Sequence, residues 1–194
     1  TEVKDALGNV ASTVYDAASN VVARVDQLGN RTTTTFDALN RPTEVKDSLG
    51  NVTTTVYNSL DLVVATVNAR GFRTTFGYDA LNRQETVKDA LGNVTSTVYD
   101  TAGRVSATVD ALARRTTLIY DNAGRQIASK DALGNLSTTV YDAAGNASAT
   151  VDALGRRTTT TFDALNRAVA VKDALGNVSS TVYDTVGRVS ATVD

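Results

Sequence analysis

The chain has 194 residues, of which 42% are hydrophobic and 21% are charged, and its formal net charge at pH 7 is −2. It contains neither cysteine nor histidine, which excludes disulfide bonds, thiolate metal sites and histidine-based acid–base catalysis. The balanced charge argues against a nucleic-acid partner, and no segment approaches the ~20 apolar residues of a membrane-spanning helix.

Two short motifs recur with a spacing of 21 residues, as the positions 5, 26 and 47 illustrate. The first motif is Asp-Ala-Leu-Gly-Asn or a looser copy, and it begins at Asp5, Asp26, Asp47, Asn68, Asp89, Asp110, Asp131, Asp152 and Asp173. The second motif is an aromatic residue followed by Asp or Asn, with the aromatic at Tyr15, Phe36, Tyr57, Tyr78, Tyr99, Tyr120, Tyr141, Phe162 and Tyr183. Such a period is typical of an array in which neighbouring repeats cover one another.

The period predicts a single continuous array of about nine repeats over residues 1–194. Neither end carries an atypical capping repeat, which repeat arrays usually need for solubility. We therefore expect the chain to be a window of a longer protein.

One repeat, taken over residues 89–109, predicts four elements in chain order. These are a turn at Asp89–Gly92 (the first turn), a strand at Asn93–Tyr99, a turn at Asp100–Gly103 (the second turn) and a strand at Arg104–Val109. The strand segments are rich in Val, Thr and Tyr, which favour β-structure. Gly or Asn interrupts the chain every ten or eleven residues, and no helical period is sustained.

Both turns share an Asp-x-x-Gly or Asp-x-x-Asn pattern, which is typical of a type I turn that ends in a residue with positive φ. The predicted structural turn residues include Asp5, Gly8, Asp16, Asp37, Asn40, Asp89, Gly92, Asp100, Gly103, Asp131, Gly134, Asp142, Gly145, Asp173 and Gly176. Ala113 occupies the last slot once, where mild local strain is expected. Gly77 is the one glycine that lies outside this slot.

The predicted fold is all-β, an antiparallel meander of hairpins with two strands per repeat and about eighteen strands in total. The alternative is a β-solenoid with one coil per repeat. Equivalent aromatics would stack at about 4.8 Å in a solenoid but lie about 9.6 Å apart in a meander. In the meander they pack on the intervening strand, and we predict that all nine aromatics of the second motif are anchors between repeats.

A longer period of 42 residues is present in addition to the period of 21 residues. Lys precedes the first turn at Lys4, Lys46 and Lys88, whereas the alternate copies have valine there. This change moves the apolar set of a strand to the opposite face. Successive repeats are therefore not equivalent, and we expect the sheet to curl or to pack as two layers, giving a rod- or tube-like body.

The hexapeptide Tyr-Asp-x-x-Gly-Arg, at Tyr99–Arg104, Tyr120–Arg125 and Tyr183–Arg188, together with the period, resembles the rearrangement-hotspot (RHS) or YD repeat. The resemblance covers the whole chain and implies a long curling β-sheet. Family members include insecticidal toxin complexes and polymorphic toxins, where the sheet encloses a toxic segment, and teneurin-type adhesion proteins. The self-cleaving segment that ends the toxin shells is not visible in this sequence.

The sequence predicts no enzyme, no catalytic residue, no metal site and no cofactor, because turn capping accounts for most aspartates. A row of turn carboxylates that binds Ca²⁺ is the alternative. The arginines after the second turn are expected to pair with turn aspartates or to stack on tyrosine; they are Arg41, Arg83, Arg104, Arg125, Arg167 and Arg188.

The favoured function is a structural one, in a bacterial surface or secreted fibre or tube, with an extracellular or cell-surface location. Self-association would run through the repeat ends or through neighbouring chains. One alternative is a segment of a protective β-shell around a toxin or other cargo. Another is an adhesion module that binds a surface glycan or a protein.

Overall fold

Runs of Val, Thr and Tyr between the Asp-x-x-Gly turns form the strands of this protein. A computed structural model describes residues 1–5 and 7–194. Within those residues the secondary structure consists of strands β1 to β19 and no helix. Their bounds are β1 Glu2–Lys4, β2 Val10–Tyr15, β3 Val21–Val25, β4 Arg31–Phe36, β5 Pro42–Lys46, β6 Val52–Tyr57, β7 Val63–Val67, β8 Arg73–Tyr78, β9 Gln84–Lys88, β10 Val94–Tyr99, β11 Val105–Val109, β12 Arg115–Tyr120, β13 Gln126–Lys130, β14 Leu136–Tyr141, β15 Ala147–Val151, β16 Arg157–Phe162, β17 Ala168–Lys172, β18 Val178–Tyr183 and β19 Val189–Val193. In the described part of the chain, no helix is present that could cross a membrane.

The chain divides into two compact units, Thr1–Ser96 and Thr97–Asp194. In the first unit, strands β1 to β9 pair antiparallel in chain order, and the first residues of β10 pair with β9. In the second unit, strands β11 to β19 pair in the same way. The predicted meander of hairpins is thus confirmed. The solenoid alternative is wrong, because its successive coils would pair in parallel.

The hairpins that close through a second turn contain a register shift next to the aromatic residue. In β14–β15, Val140 pairs with Ala149 but Tyr141 pairs with Ala147, so Ser148 has no opposite residue. The Oγ of Ser148 donates a hydrogen bond of 3.2 Å to the carbonyl of Val140. An extra residue of this kind bends a strand and increases its twist. The same shift occurs in β2–β3, β4–β5, β6–β7, β8–β9, β12–β13, β16–β17 and β18–β19.

The buried core is built from alanine rather than from large side chains. Among the described residues, the buried hydrophobic side chains are at most 8% exposed; they are Ala23, Ala65, Ala107, Ala128 and Ala149. Four of them, at positions 23, 65, 107 and 149, are spaced by 42 residues. This spacing matches the predicted alternation of repeats. Since the core is so thin, stability must depend mainly on the strand ladders, the turns and the contacts between repeats.

Candidate functional site

The turn aspartates form a compact hydrogen-bonded clip, as the turn at Asp89 illustrates. The N–H of Gly92 donates to the Asp89 carbonyl (3.1 Å), and the N–H of Asp89 donates to the Asn93 carbonyl (2.9 Å). The Oδ1 of Asp89 accepts the N–H groups of Leu91 and Asn93, both at 2.9 Å. Its Oδ2 accepts the side-chain amide of Asn93 at 2.7 Å. One carboxylate therefore fixes both the backbone of the turn and the side chain four residues later.

Each predicted turn residue lies in such a turn. The predicted Asp residues begin the turns, and the predicted Gly residues and Asn40 end them with φ between 60° and 95°. Ala113 has φ of 60°, the left-handed conformation that its position in the motif predicts. Non-glycine residues adopt this conformation at some cost.

The same hydrogen bonds lower the pKa values of the turn aspartates below the ordinary value of 3.8. For Asp89 the largest cause is the side-chain amide of Asn93. For Asp121 it is the backbone N–H of Arg125, assisted by the guanidinium of the same residue. Hydrogen bonds to the ionised form favour that form, so these carboxylates stay charged to lower pH in the folded protein.

The residue four positions after the turn start depends on whether the turn begins with Asp or Asn. After Asp it is Asn or Arg, and its side chain donates to Oδ2; these residues are Asn9, Asn20, Asn30, Arg41, Asn51, Arg83, Asn93, Arg104, Arg114, Arg125, Asn135, Asn146, Arg156, Arg167, Asn177 and Arg188. After Asn58 and Asn68 it is Leu62 and Phe72, and only the two backbone bonds to Oδ1 remain. An amide has no second oxygen to satisfy, which explains the apolar partner.

Arginines at the second turn connect one repeat to the next. The Nε of Arg104 donates to Asp100 Oδ2 at 2.7 Å, and its Cζ lies 4.5 Å from the ring centroid of Tyr120. The hydroxyl of Tyr120 donates to the carbonyl of Val105 at 2.8 Å. The ring of Tyr120 thus stacks on the guanidinium of Arg104, and its hydroxyl is hydrogen-bonded to the strand that follows Arg104. The same stacking joins Arg41 to Tyr57, Arg125 to Tyr141 and Arg167 to Tyr183 at 4.4–4.6 Å.

A second version of this contact occurs where the residue that follows the second turn is Asn instead of Arg. The Nδ2 of Asn20 donates to Oδ1 of Asn40 in the next second turn at 2.8 Å, and Asn146 donates to Asn166 at the same distance. In both places the intervening aromatic is phenylalanine, Phe36 or Phe162, rather than tyrosine. In the sequence, Arg at this position is followed by Tyr in the next repeat and Asn is followed by Phe, and the exception is Leu62, which is followed by Tyr78.

The residue that ends the next second turn also varies with the Arg or Asn that makes this contact. A Cβ at Gly124 would lie 3.6 Å from Nη1 of Arg104, so the guanidinium occupies the space above the glycine. Gly145 and Gly187 lie in the same way below Arg125 and Arg167. After Arg41 the residue is Asp61, which pairs with Nη1 at 2.5 Å. After Asn20 and Asn146 it is an Asn, as described above.

Comparison with protein families gives one match. A model described as RHS Repeat matches residues 15–52, 57–97, 99–139 and 141–178. The chain belongs to the RHS-repeat family. No curated protein matches this RHS-repeat chain.

Similar solved structures include those of TcdB2–TccC3 and of a Tc holotoxin pore. A crystal structure of TcdB2–TccC3 without its hypervariable C-terminal region is 15% identical, with a TM-score of 0.42. The Tc holotoxin pore of Photorhabdus luminescens, with a mutation in TccC3, is 14% identical, with a TM-score of 0.45. The alignments cover 94% and 95% of the RHS-repeat chain but only 14% and 15% of those chains.

Exposure distinguishes the two sets of turns in the RHS-repeat array. The side chains of Arg41, Arg83, Arg104, Arg125 and Arg167 at second turns are 22–37% exposed. Those of Arg114 and Arg156 at first turns are 66% and 65% exposed. The second-turn edge is thus where side chains of successive repeats cover each other. The arginines predicted from the sequence are each paired with an aspartate, and Arg41, Arg104, Arg125 and Arg167 stack on a tyrosine. Arg188, in the last second turn of the chain, is 80% exposed.

The first-turn edge carries a feature that the sequence reasoning missed, a row of exposed leucines. They are 74–89% exposed and are Leu7, Leu28, Leu49, Leu91, Leu112, Leu133, Leu154 and Leu175. The third position of a type I turn requires no apolar residue, and this mismatch was the available signal. Within residues 1–5 and 7–194, no three Asp or Glu side chains form a group able to hold a metal ion.

Proposed function

We propose that this chain is a structural element, a continuous β-scaffold in a bacterial surface or secreted fibre or tube. The observation that carries the proposal is the paired coupling at second turns, where Arg–Tyr or Asn–Asn contacts recur between successive repeats. A body built from such units extends by adding copies and keeps a constant geometry at each junction. The proposal includes a single array over residues 1–194 and an extracellular or cell-surface location.

The use of the charged side chains supports a structural role over an enzymatic one. Both carboxylate oxygens of the turn aspartates accept hydrogen bonds from their own turns, as at Asp89. The second-turn arginines bind these aspartates and the next ring. Groups committed to structural hydrogen bonds are poor candidates for proton transfer or nucleophilic attack.

Electron microscopy of the purified chain tests this function, with filaments or tubes of uniform width as the expected result. A variant that combines Arg104→Ala with Arg125→Ala serves as the matched control, because it removes the coupling at two adjacent junctions. Its particles should be kinked or irregular. Monodisperse small particles from the unmodified chain at all concentrations would contradict the fibre.

Self-association between neighbouring chains belongs to this proposal, and the exposed leucines of the first turns favour it. Apolar side chains in a row are more typical of a contact surface than of a solvated edge. Light scattering should report a larger mass for the unmodified chain than for a variant with Leu112, Leu133, Leu154 and Leu175 changed to serine. Equal masses at all concentrations would remove this edge from the proposal.

A wall segment of a β-shell around a toxin or other cargo is the second candidate, and membership in the RHS-repeat family favours it. The two functions differ in the gene that encodes the chain. A shell predicts an effector region encoded after the repeats and a protease-resistant cargo in the purified full-length product. A fibre predicts continued repeats and no enclosed segment.

A further inference from the structure

One first turn departs from the others in three positions at once. It begins with Asn68 in place of Asp, carries Arg70 in place of Leu, and is followed by Phe72 in place of Asn or Arg. The first change removes a negative charge and the second adds a positive one. The third places an aromatic ring where every other first turn has a polar side chain. The local charge and chemistry of this turn therefore differ from those of its sister copies.

The turn itself keeps its geometry despite these changes. The Oδ1 of Asn68 accepts the N–H groups of Arg70 at 2.9 Å and Phe72 at 3.1 Å. The N–H of Gly71 donates to the Asn68 carbonyl at 2.8 Å. Since Asn68 needs no side-chain donor at position 72, the ring of Phe72 is free to lie at the surface, where it is 51% exposed. A half-exposed phenylalanine at a turn makes no contribution that the turn requires.

A surface recess of about 540 Å³ adjoins this ring, within the first unit. Its lining includes Phe72, Arg73, Thr75, Lys88 and Leu91. Thr75 pairs with Lys88 across strands β8 and β9, so Arg73 lies diagonally opposite Lys88 on the same face. Diagonal neighbours of this kind are about 7–8 Å apart, and like charges there repel each other. Arg73 and Lys88 thus form a pair of like charges, called the cationic doublet, beside the ring of Phe72. An anionic ligand would stabilise this arrangement.

The surroundings of the doublet do not neutralise it. Paired positions on the same face of the neighbouring strands carry Val67, opposite Arg73, and Val94, opposite Lys88. Asp89 also borders the recess, but its Oδ1 and Oδ2 already accept the N–H groups of Leu91 and Asn93 and the amide of Asn93. Its charge reduces the local potential without occupying the guanidinium or the ammonium.

We propose that this recess binds a unit of an acidic oligosaccharide. The apolar face of a sugar ring packs on Phe72, and its carboxylate or sulfate lies between Arg73 and Lys88. The hydroxyl of Thr75 is available to hydrogen-bond a sugar hydroxyl, and Arg70 adds a third cation at the rim. The inference is independent of whether the array forms a fibre or a shell.

The chain contains matched control sites, because three other diagonal doublets lack the ring. These are Arg31 with Lys46, Arg115 with Lys130, and Arg157 with Lys172. Their first turns carry Leu28, Leu112 and Leu154 in place of Arg70. If cations alone sufficed, all four doublets would bind the ligand. If the ring is required, only the recess at Phe72 binds it.

Isothermal titration calorimetry of the whole chain tests the proposal with three hexasaccharides. One carries carboxylates (a hyaluronan fragment), one carries sulfates (a heparin fragment) and one is neutral (a chitin fragment). We expect saturable binding of at least one acidic probe with one site per chain and no binding of the neutral one. The comparison of the two acidic probes identifies the anionic group that the doublet prefers.

Variants that copy sister repeats make the test sharp. Phe72→Leu recreates the Asn58–Leu62 combination and Arg70→Leu restores the leucine of the other first turns, so both should fold. Phe72→Leu should weaken binding about tenfold or more, since the ring is lost. Arg115→Ala with Lys130→Ala should leave binding unchanged. The proposal is overturned by no binding, by about four sites per chain, by equal binding of the neutral probe, or by unchanged affinity of the Phe72→Leu variant.

Discussion

Replacing Gly77 by alanine should destabilise the first unit, and only while Thr86 is present. Gly77 lies within β8 and pairs with Thr86 in β9. A Cβ at Gly77 would lie 2.2 Å from Oγ1 and 3.6 Å from Cβ of Thr86. At most of the equivalent cross-strand positions the sizes are reversed, as with Ile119 opposite Ala128 and Val140 opposite Ala149. In this pair the larger side chain, Thr86, lies on β9 instead of β8, and Gly77 on β8 leaves room for it.

The magnitude follows from two opposed effects. Moving the stiff Thr86 side chain out of its rotamer and overpacking the pair costs about 1–3 kcal/mol. Alanine restricts the unfolded chain more than glycine does, which stabilises the folded state by about 0.4–1 kcal/mol. Gly77→Ala should therefore lower the free energy of unfolding by about 0.5–2 kcal/mol. In a Thr86→Ala background the clash is absent, and the same change should raise that free energy by about 0.4–1 kcal/mol.

A double-mutant cycle in urea, followed by circular dichroism, measures this reversal of sign. The four proteins are the unmodified chain, Gly77→Ala, Thr86→Ala and the double variant. Gly77→Ala with Thr86→Ala restores the usual alanine opposite a residue with a Cβ. An equal effect of Gly77→Ala in both backgrounds would refute the reasoning, because the effect would then belong to the backbone of β8 alone.

Three further outcomes concern the turns and their contacts. Folding lowers the pKa of the Asp residues that begin the turns below 3.8, as at Asp89. Their contribution to stability is therefore complete above that pH and is lost as the pH falls through the lowered folded values, which acid titration by circular dichroism should detect. Tyr120→Phe should lower the free energy of unfolding by about 0.5–1.5 kcal/mol through loss of the bond to Val105, measured in urea. Gly124→Ala should lower it by about 1–2 kcal/mol, because φ is 81°, whereas Asn82→Gly, at another turn end with positive φ, should change it little.

Each of these expectations has an outcome that would contradict it. A stability profile that falls only above pH 5 would show that the turn carboxylates do not dominate acid unfolding. For the hydroxyl of Tyr120, equal stability of the phenylalanine variant would mean that water replaces the lost bond. For Gly124, an alanine variant as stable as the parent would mean that the turn relaxes to negative φ.

The turns and the meander could be predicted because their information is local. Asp, Gly and Asn within five residues determine a turn, and two such turns per repeat determine where the chain reverses. Ala113 was anticipated at positive φ for the same reason. The strand bounds followed, since each strand fills the interval between two turns; β10 and β11 begin one residue later than predicted.

The contacts between repeats could be predicted only in outline. Arg104 and Tyr120 are 16 residues apart, and nothing in either residue's own segment specifies which ring it meets. The register shift at Ser148 depends on how the second turn closes its hairpin, which the motif does not encode visibly. Gly77 was noticed as an exception, but its explanation lies on another strand, at Thr86. Non-local pairing decides these features.

The spacing of the buried alanines by 42 residues has a consequence for how genes of this kind change length. Buried alanines recur every 42 residues at positions 23, 65, 107 and 149, whereas the equivalent position of the copies between them varies, with Glu44, Thr86, Ala128 and Ala170. Recombination that removes 42 residues joins copies of unlike type and preserves the alternation. Loss of 21 residues would join two copies of the same type. Surviving length variants should therefore differ by even numbers of repeats.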